Sequence, residues 1–146
     1  MGFKKINKPL PGDLLKVRRS IGYYHFGIAS SHDTVIHYSD FGSDSLLDPN
    51  NVKVIETSLK DFLRGGELEV VSPYDSPYSK DEVTRRAKSY LGQKEINGSL
   101  YNLIDNNCEH FARLIYYGKA SSRQSDLGVL AAFGIAAAIN KAKNKK

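Results

Sequence analysis

Several features that define whole classes of protein are absent from this sequence. The chain has a single cysteine, Cys108, which rules out an internal disulfide and favours a reducing, intracellular location. No stretch reaches the roughly 18 apolar residues of a membrane-spanning helix, and the first residues lack the apolar core of a secretory signal. The 146 residues are about one domain in length and can bury one hydrophobic core.

The net positive charge of the chain is concentrated in the C-terminal segment. Residues 119–146 hold six basic residues and one acidic residue, while the whole chain has a net charge of +5. The preceding part of the chain is therefore close to neutral, which does not favour a nucleic-acid-binding face. A basic end attached to an apolar run favours contact with anionic lipid instead.

The order of the predicted elements is strands first and helices second. Five short segments have the alternation or the β-branched and aromatic content of strands: residues 13–19, 22–30, 34–39, 52–58 and 67–72. A helix then begins at Ser79, with Glu82 three residues later as in a capping box. A second helix begins near Asn106 or Asn107 and stops before Gly118. This order predicts an α+β domain with an antiparallel sheet.

The chain divides into three predicted parts: a flexible arm at 1–8, a folded domain at 9–123 and a membrane-association segment at 124–146. Residues 127–139 are all apolar or glycine, but a span needs about 20 residues. We expect this segment to enter or lie on a membrane, and the alternative is a terminal helix packed on the domain. The residues expected at the membrane are Leu127, Val129, Leu130, Phe133, Ile135, Ile139, Lys141 and Lys143.

Cys108 stands at the predicted start of the second helix, directly after two asparagines. A thiol attacks a carbonyl only as a thiolate, and the unpaired N–H groups at a helix start favour an anion. The same groups stabilise an oxyanion formed on a carbonyl under attack. Cys108 is therefore a candidate nucleophile, although a lone cysteine is more often a core residue.

Three of the four histidines lie in one predicted hairpin, His25 and His37 on its strands and His32 in its loop. With a loop at Ser30–His32, His25 lies directly opposite His37, with Cβ atoms roughly 5 Å apart. Gly27 and Ala29 share that face and leave room for a helix that presents the cysteine. We expect His25 to act as general base and His37 to hold its ring. The alternative is that both are merely half-buried polar groups.

A metal site is a weaker alternative for the same residues. Cys108 and His110, together with His25 and His37, could supply four zinc ligands. Residues two apart on a helix point about 200° away from one another, so His110 is directed away from Cys108. We expect no metal and no other cofactor, and we expect His110 to pack or cap near the helix start.

The order and spacing of these motifs resemble a known family. The segments PGDLLKV, YYHFGIAS, VIHYS and NCEHFARLIYYGKASS, which run in order from about Pro11 to Arg123, resemble the phospholipase A/acyltransferase (HRAS-like suppressor) family. That family belongs to the lecithin:retinol acyltransferase group of the NlpC/P60 superfamily. The resemblance implies a permuted papain-like fold, in which an antiparallel sheet carries both histidines and packs on a helix that starts with the catalytic cysteine.

The resemblance also implies acyl transfer by a Cys–His–His site. Cys108 would be the nucleophile, His25 the base and His37 the third member, and Tyr23 and Asn107 would help to hold the substrate carbonyl or the oxyanion. The thiolate would attack an ester of a glycerophospholipid and form a thioester. The acyl group would then pass to water, to the amine of phosphatidylethanolamine or to a lysophospholipid. The expected partner is a phospholipid membrane, and the chain is expected to be a cytoplasmic, membrane-associated monomer.

Two other functions stay open. The chain also resembles certain picornaviral 2A proteins, which carry a similar histidine motif and Asn–Cys motif; some of these have no established lipid activity. A non-enzymatic interaction protein of that kind would have an unactivated thiol. A peptidase or amidase of the wider superfamily would need an open groove for a peptide.

Overall fold

The computed structural model describes residues 2–20, 23–40, 49–102 and 107–119. Six antiparallel strands form the main sheet, in the spatial order β1-β6-β2-β3-β4-β5: β1 (Gly2–Lys5), β2 (Leu14–Ser20), β3 (Tyr23–Ala29), β4 (Thr34–Asp40), β5 (Val52–Ser58) and β6 (Leu68–Ser72). A separate hairpin joins β7 (Glu95–Ile96) and β8 (Ser99–Leu100). The described helices are α1 (Leu59–Leu63), α2 (Lys80–Ser89) and α3 (Cys108–Tyr117), with a 3-10 turn at Pro49–Asn51. The predicted α+β class is confirmed.

The sheet buries side chains on both faces because successive residues of a strand point to opposite sides. The face covered by α2 and α3, called the α3 face, is mainly apolar and includes Leu14, Phe26, Ile28, Ile36, Tyr38, Val83, Phe111 and Ile115. The face covered by α1, called the α1 face, includes Leu15, Val17, Ala29, Val35, Phe62, Leu68 and Val70. Two separate cores therefore hold the two sides of the same strands.

Helix α1 closes the α1 face with one large side chain. The helix begins after Ser58, whose hydroxyl accepts a hydrogen bond from the Asp61 N–H at 3.0 Å, and it ends at Arg64 in the left-handed region (φ 46°). Phe62 is fully buried and lies directly over Gly27, where a Cβ would come within 2.9 Å of the Phe62 ring. Position 27 therefore requires glycine so that α1 can approach the sheet.

The N-terminal segment differs from the expected flexible arm. Residues Gly2–Lys5 form strand β1, which pairs with β6 so that Phe3 lies opposite Val71. The Phe3 ring also contacts the Phe26 ring edge-on, with centroids 6.2 Å apart. Pairing with β6 satisfies backbone groups that an isolated segment would leave to water, and no property of this short segment alone signals such a partner.

The hairpin between β3 and β4 has a different register from the one predicted. Ile28 pairs with Ile36 and Ala29 with Val35, a shift of two residues that leaves His25 no longer directly opposite His37. The loop is longer because its hydroxyls hold it: the Ser31 and Thr34 side-chain oxygens are 2.6 Å apart, and the Ser31 hydroxyl accepts from the Thr34 N–H at 3.1 Å. A shift of two keeps the alternation of faces, so both histidines still share one side.

The other predicted elements are present close to their expected bounds. The expected strands correspond to β2–β6, and Ser79 caps α2 by accepting from the Glu82 N–H at 3.1 Å. Helix α2 buries Val83 and Ala87. Helix α3 ends at Gly118, which has a φ of 83° as a left-handed C-cap residue does.

Candidate active site

The start of α3 is held by a reciprocal cap. Asn107 is the N-cap residue, and its side-chain oxygen accepts from the His110 N–H at 3.0 Å. The Nδ1 atom of His110 in turn accepts from the Asn107 N–H at 3.4 Å. The expectation that His110 caps the helix start is confirmed. Cys108 is the first residue of the helix, as the sequence predicts.

The Cys108 thiol is enclosed on the α3 face of the sheet. Its side chain is buried, and its Sγ lies 3.7 Å from the Tyr23 hydroxyl and donates to the Tyr24 carbonyl at 3.9 Å. Burial raises the pKa of the thiol to about 11, although the Phe26 backbone N–H and the Tyr23 hydroxyl act in the opposite direction. In this arrangement burial outweighs the helix start, and the thiol is protonated near neutral pH.

His25 and His37 form a buried pair on strands β3 and β4. The Nε2 atom of His25 lies 2.8 Å from Nδ1 of His37, and Nε2 of His37 lies 2.9 Å from the Thr57 hydroxyl on β5. Burial lowers the pKa of both rings, to about 3 for His37, and nearby Arg19 and Arg64 act in the same direction. Both imidazoles are therefore neutral near pH 7, as a proton acceptor must be.

The thiol and the histidine pair lie on opposite faces of the sheet. Both imidazoles pack against Phe62 of the α1 face, with ring centroids 5.4 Å and 5.2 Å from it, whereas Cys108 belongs to the core of the α3 face. The expectation that the cysteine helix fills the space beside Gly27 is therefore wrong, because α1 occupies it. The sulfur meets the backbone of β3 on either side of His25, at the Tyr24 carbonyl and the Phe26 N–H.

Two tyrosines accompany the thiol. Tyr23, which was expected near the site, is half-buried, and Tyr101 adds a second ring that is buried. Burial raises the pKa of both phenols above the ordinary value, and the charge of a Cys108 thiolate would raise it further. Both hydroxyls therefore keep their protons and can donate hydrogen bonds. Tyr101 follows the β7–β8 hairpin, and nothing in its sequence surroundings signals its position.

A cavity of about 460 Å³ opens beside His37 on the α1 face. Its other lining residues come from β4, β5, α1 and the turn that follows α1: Ser39, Asp40, Ile55, Thr57, Lys60, Asp61, Arg64 and Gly65. Most of these residues are polar or charged.

Comparison with known proteins identifies the family. The family model named lecithin retinol acyltransferase matches residues 7–121. The chain belongs to this family. The matched range contains both histidines and Cys108, and the lecithin retinol acyltransferase family has the NlpC/P60-like fold. The family resemblance seen in the motifs is confirmed.

Individual relatives within the lecithin retinol acyltransferase family agree with this assignment. The chain is 34% identical over 125 residues to phospholipase A and acyltransferase 5 of Rattus norvegicus, which covers 80% of this chain but 42% of the relative. It is 31% identical over 144 residues to phospholipase A and acyltransferase 4 of Homo sapiens, covering 88% of this chain and 85% of the relative. Phospholipase A and acyltransferase 1 of Homo sapiens is 29% identical over 141 residues. The chain thus spans less than half the length of the first relative.

The geometry does not support a zinc site formed by Cys108, His110, His25 and His37. Across residues 2–20, 23–40, 49–102 and 107–119, no three His, Cys, Asp or Glu side chains cluster as metal ligands do. His110 caps α3, and the two sheet histidines lie across the sheet from Cys108. These four residues do not converge on one point.

The expected membrane segment lies outside the described residues. This applies to Leu127, Val129, Leu130, Phe133, Ile135, Ile139, Lys141 and Lys143. Within the part of this lecithin retinol acyltransferase family member that the structure describes, no helix has the length and apolar character to cross a bilayer.

Proposed function

We propose that the chain is a thiol-dependent phospholipase A and acyltransferase acting on glycerophospholipids. The observation that carries the proposal is Cys108 at the first position of α3, with the Tyr23 hydroxyl 3.7 Å from its sulfur, in a chain of the lecithin retinol acyltransferase family. Its relatives named phospholipase A and acyltransferase 5 and 4 support the same chemistry. The neutral His25–His37 pair supplies a proton acceptor of the required kind.

The proposed reaction has two halves. The Cys108 thiol gives its proton to His25, and the sulfur forms a bond to the ester carbonyl carbon. The ester C–O bond then breaks, and His25 returns the proton to the departing lysophospholipid oxygen. Water, the amine of phosphatidylethanolamine or a lysophospholipid hydroxyl attacks the thioester in the second half, which releases the acyl product and restores the thiol.

The proposed roles of the neighbouring residues follow from their contacts. The Tyr23 hydroxyl donates a hydrogen bond to the carbonyl oxygen of the substrate ester, since this hydroxyl keeps its proton and lies beside the sulfur. The side-chain oxygen of Asn107 is engaged by the His110 N–H. We therefore propose that Asn107 serves the oxyanion by holding the helix start in place, where backbone N–H groups point towards the sulfur.

Catalysis requires an arrangement more open than the one described. Cys108 is 1% exposed, so an ester carbonyl cannot reach its sulfur. His25 must also come within hydrogen-bond distance of the thiol before a proton can pass. Because the sulfur already touches the backbone on both sides of His25, the proposed change is local to the start of β3. Contact with a phospholipid surface is the proposed trigger.

The decisive experiment analyses products by mass spectrometry after incubation with mixed phosphatidylcholine and phosphatidylethanolamine vesicles. Wild type should release lysophospholipid and fatty acid or form N-acylated phosphatidylethanolamine. Cys108→Ala and His25→Gln should abolish these products while circular dichroism shows an intact fold. His32→Gln is the matched control, because His32 is an exposed turn residue bonded to the Pro9 carbonyl at 2.8 Å. Undiminished hydrolysis by Cys108→Ala would refute the proposal.

We further propose that residues 124–146 bring the site to the membrane. Their apolar run followed by lysines suits insertion beside anionic headgroups. A chain ending at Arg123 should lose most sedimentation with anionic vesicles and most vesicle activity, while it keeps its cooperative unfolding. If binding and activity are both unchanged, the role proposed for this segment is wrong.

One observation favours a second function, a non-enzymatic interaction protein. Burial raises the pKa of Cys108 to about 11, and the histidine pair lies on the other face. If that arrangement persists at a membrane, the thiol should alkylate slowly with or without vesicles. Vesicle-induced acceleration of alkylation would instead support the enzyme.

A further inference from the structure

We infer that Thr57 is a positioning residue that sets where the protons lie on the His25–His37 pair. This inference rests on the proposed function for its catalytic meaning. The observation behind it is a series of three consecutive hydrogen bonds, which runs from β5 through β4 to β3 on the α1 face.

Thr57 decides which atom donates in each of these hydrogen bonds. The Thr57 hydroxyl lies 3.1 Å from the Ser58 carbonyl, which has no proton and can only accept. The single hydroxyl proton of Thr57 is therefore directed to Ser58. The same oxygen lies 2.9 Å from Nε2 of His37, so it must accept there, and His37 must carry its proton on Nε2.

The remaining proton positions follow. A neutral His37 with its proton on Nε2 presents a lone pair on Nδ1, and that atom lies 2.8 Å from Nε2 of His25. His25 must then donate from Nε2, which leaves a lone pair on its own Nδ1. Thr57 thus leaves Nδ1 of His25 as the basic atom, two hydrogen bonds away from the hydroxyl.

The surroundings keep both rings neutral at rest. The charged groups around the pair are Arg19 from β2 and Arg64 beyond α1, with Lys60, Asp61 and Asp40 around the cavity. Nδ1 of His25 can take up a proton without disturbing this bond, whereas a second proton on His37 would place two N–H groups face to face across 2.8 Å. Burial and the two guanidinium groups both oppose that state.

Thr57→Val tests the inference because valine keeps the shape and strand preference of threonine but lacks the hydroxyl. Leaving a buried N–H without an acceptor costs more free energy than leaving a buried nitrogen lone pair without a donor. In Thr57→Val the His37 proton should therefore move to Nδ1 and donate to Nε2 of His25. The His25 proton should move to Nδ1, which removes the basic atom.

Nitrogen-15 NMR of the histidine rings near neutral pH should show both protons on Nε2 in wild type and both on Nδ1 in Thr57→Val. Thr57→Ser should keep the wild-type pattern. Thr84→Val is the matched control, since its hydroxyl donates to the Lys80 carbonyl at 2.9 Å on α2. A wild-type proton on Nδ1 of His37, or an unchanged pattern in Thr57→Val, would overturn the inference.

Acyl release from phospholipid vesicles provides the functional measurement. Thr57→Val should lower kcat by roughly 10-fold or more, and Thr57→Ser should recover most of it. Equal kcat in wild type and Thr57→Val would also contradict the inference. If wild type releases no acyl product, the proposed function fails, whereas the NMR pattern still decides the proton positions.

Discussion

The Nε2 atom of His25 lies 2.8 Å from the Nδ1 atom of His37, although the two residues are not directly opposite one another on β3 and β4. The register Ile28–Ile36 makes them diagonal neighbours, which long or aromatic side chains can still join. The Phe62 ring packs against both imidazoles and excludes water from the pair. A buried, neutral, hydrogen-bonded pair of this kind has measurable consequences.

Acidification should destabilise the fold through this pair. Burial first, and then nearby positive charge, lowers the pKa of His37 from 6.5 to about 3 and that of His25 well below 6.5. Below about pH 6.5 the unfolded chain therefore binds protons that the folded chain refuses, and stability is lost as pH falls towards the folded pKa. Between about pH 6.5 and about pH 5 the lowered pKa of His37 should cost roughly 2 kcal/mol of unfolding free energy, and the lowered pKa of His25 acts in the same direction.

Urea unfolding at several pH values measures this loss. His37→Gln should reduce the dependence on pH, because one of the two groups is removed. His32→Gln is the control variant, since that histidine is exposed in the hairpin turn. Identical slopes for His37→Gln and wild type would contradict the assignment.

Removing the Tyr23 hydroxyl should make the thiol less acidic. Burial raises the pKa of Cys108 to about 11, and the Tyr23 hydroxyl partly opposes that rise. Tyr23→Phe should therefore slow iodoacetamide alkylation roughly 2- to 10-fold at a fixed alkaline pH without lipid. Tyr117→Phe is the control, because its hydroxyl donates to Asp75 at 2.9 Å. Faster alkylation of Tyr23→Phe would refute the contact.

A methyl group at position 27 should disturb the packing of α1 on the sheet. A Cβ there would lie 2.6 Å from a Val35 methyl and 2.9 Å from the Phe62 ring. Gly27→Ala should lower the unfolding free energy by about 1–3 kcal/mol. Gly2→Ala should change it little, since nothing lies within 4 Å of a Cβ at that strand position. Equal stability of the two variants would show that the α1 face is loosely packed.

Loss of the α3 cap should also be measurable. Asn107→Ala removes the oxygen that accepts from the His110 N–H at 3.0 Å, and N-cap losses of this kind cost about 1 kcal/mol. Asn107→Ser should retain most of the stability, since a serine hydroxyl can accept the same bond. Denaturant unfolding with an unchanged m-value is the measurement, and a neutral Asn107→Ala would mean that the cap does not stabilise α3.

Local sequence signals predicted most of the elements in the described residues. Alternation along β3 and β4 placed Phe26 and Ile28 on one side and His25 on the other, because side chains of a strand alternate whatever their neighbours are. The Ser79 and Asn107 caps were visible because capping depends on residues only three positions apart. The assignment of His110 to the cap follows from the same local geometry.

Features that depend on distant partners were not predictable. Phe3 pairs with Val71, so that the first and last strands of the main sheet in sequence lie side by side. The hairpin register followed from the Ser31 and Thr34 hydroxyls rather than from apolar alternation, which tolerates a shift of two residues. Tyr101 reaches Cys108 from beyond a hairpin that has no strong pattern of its own.

The amino-acid sequence by itself determined the family, the antiparallel sheet, the shared face of His25 and His37, and the position of Cys108 at the start of a helix. These properties depend on residue identity and short-range periodicity. Only the tertiary structure decided which helix covers which face, so that Phe62 lies over the histidines and Cys108 lies across β3 from them. Alternation requires two buried faces, but the choice of the element that covers each face depends on packing between segments far apart in the chain.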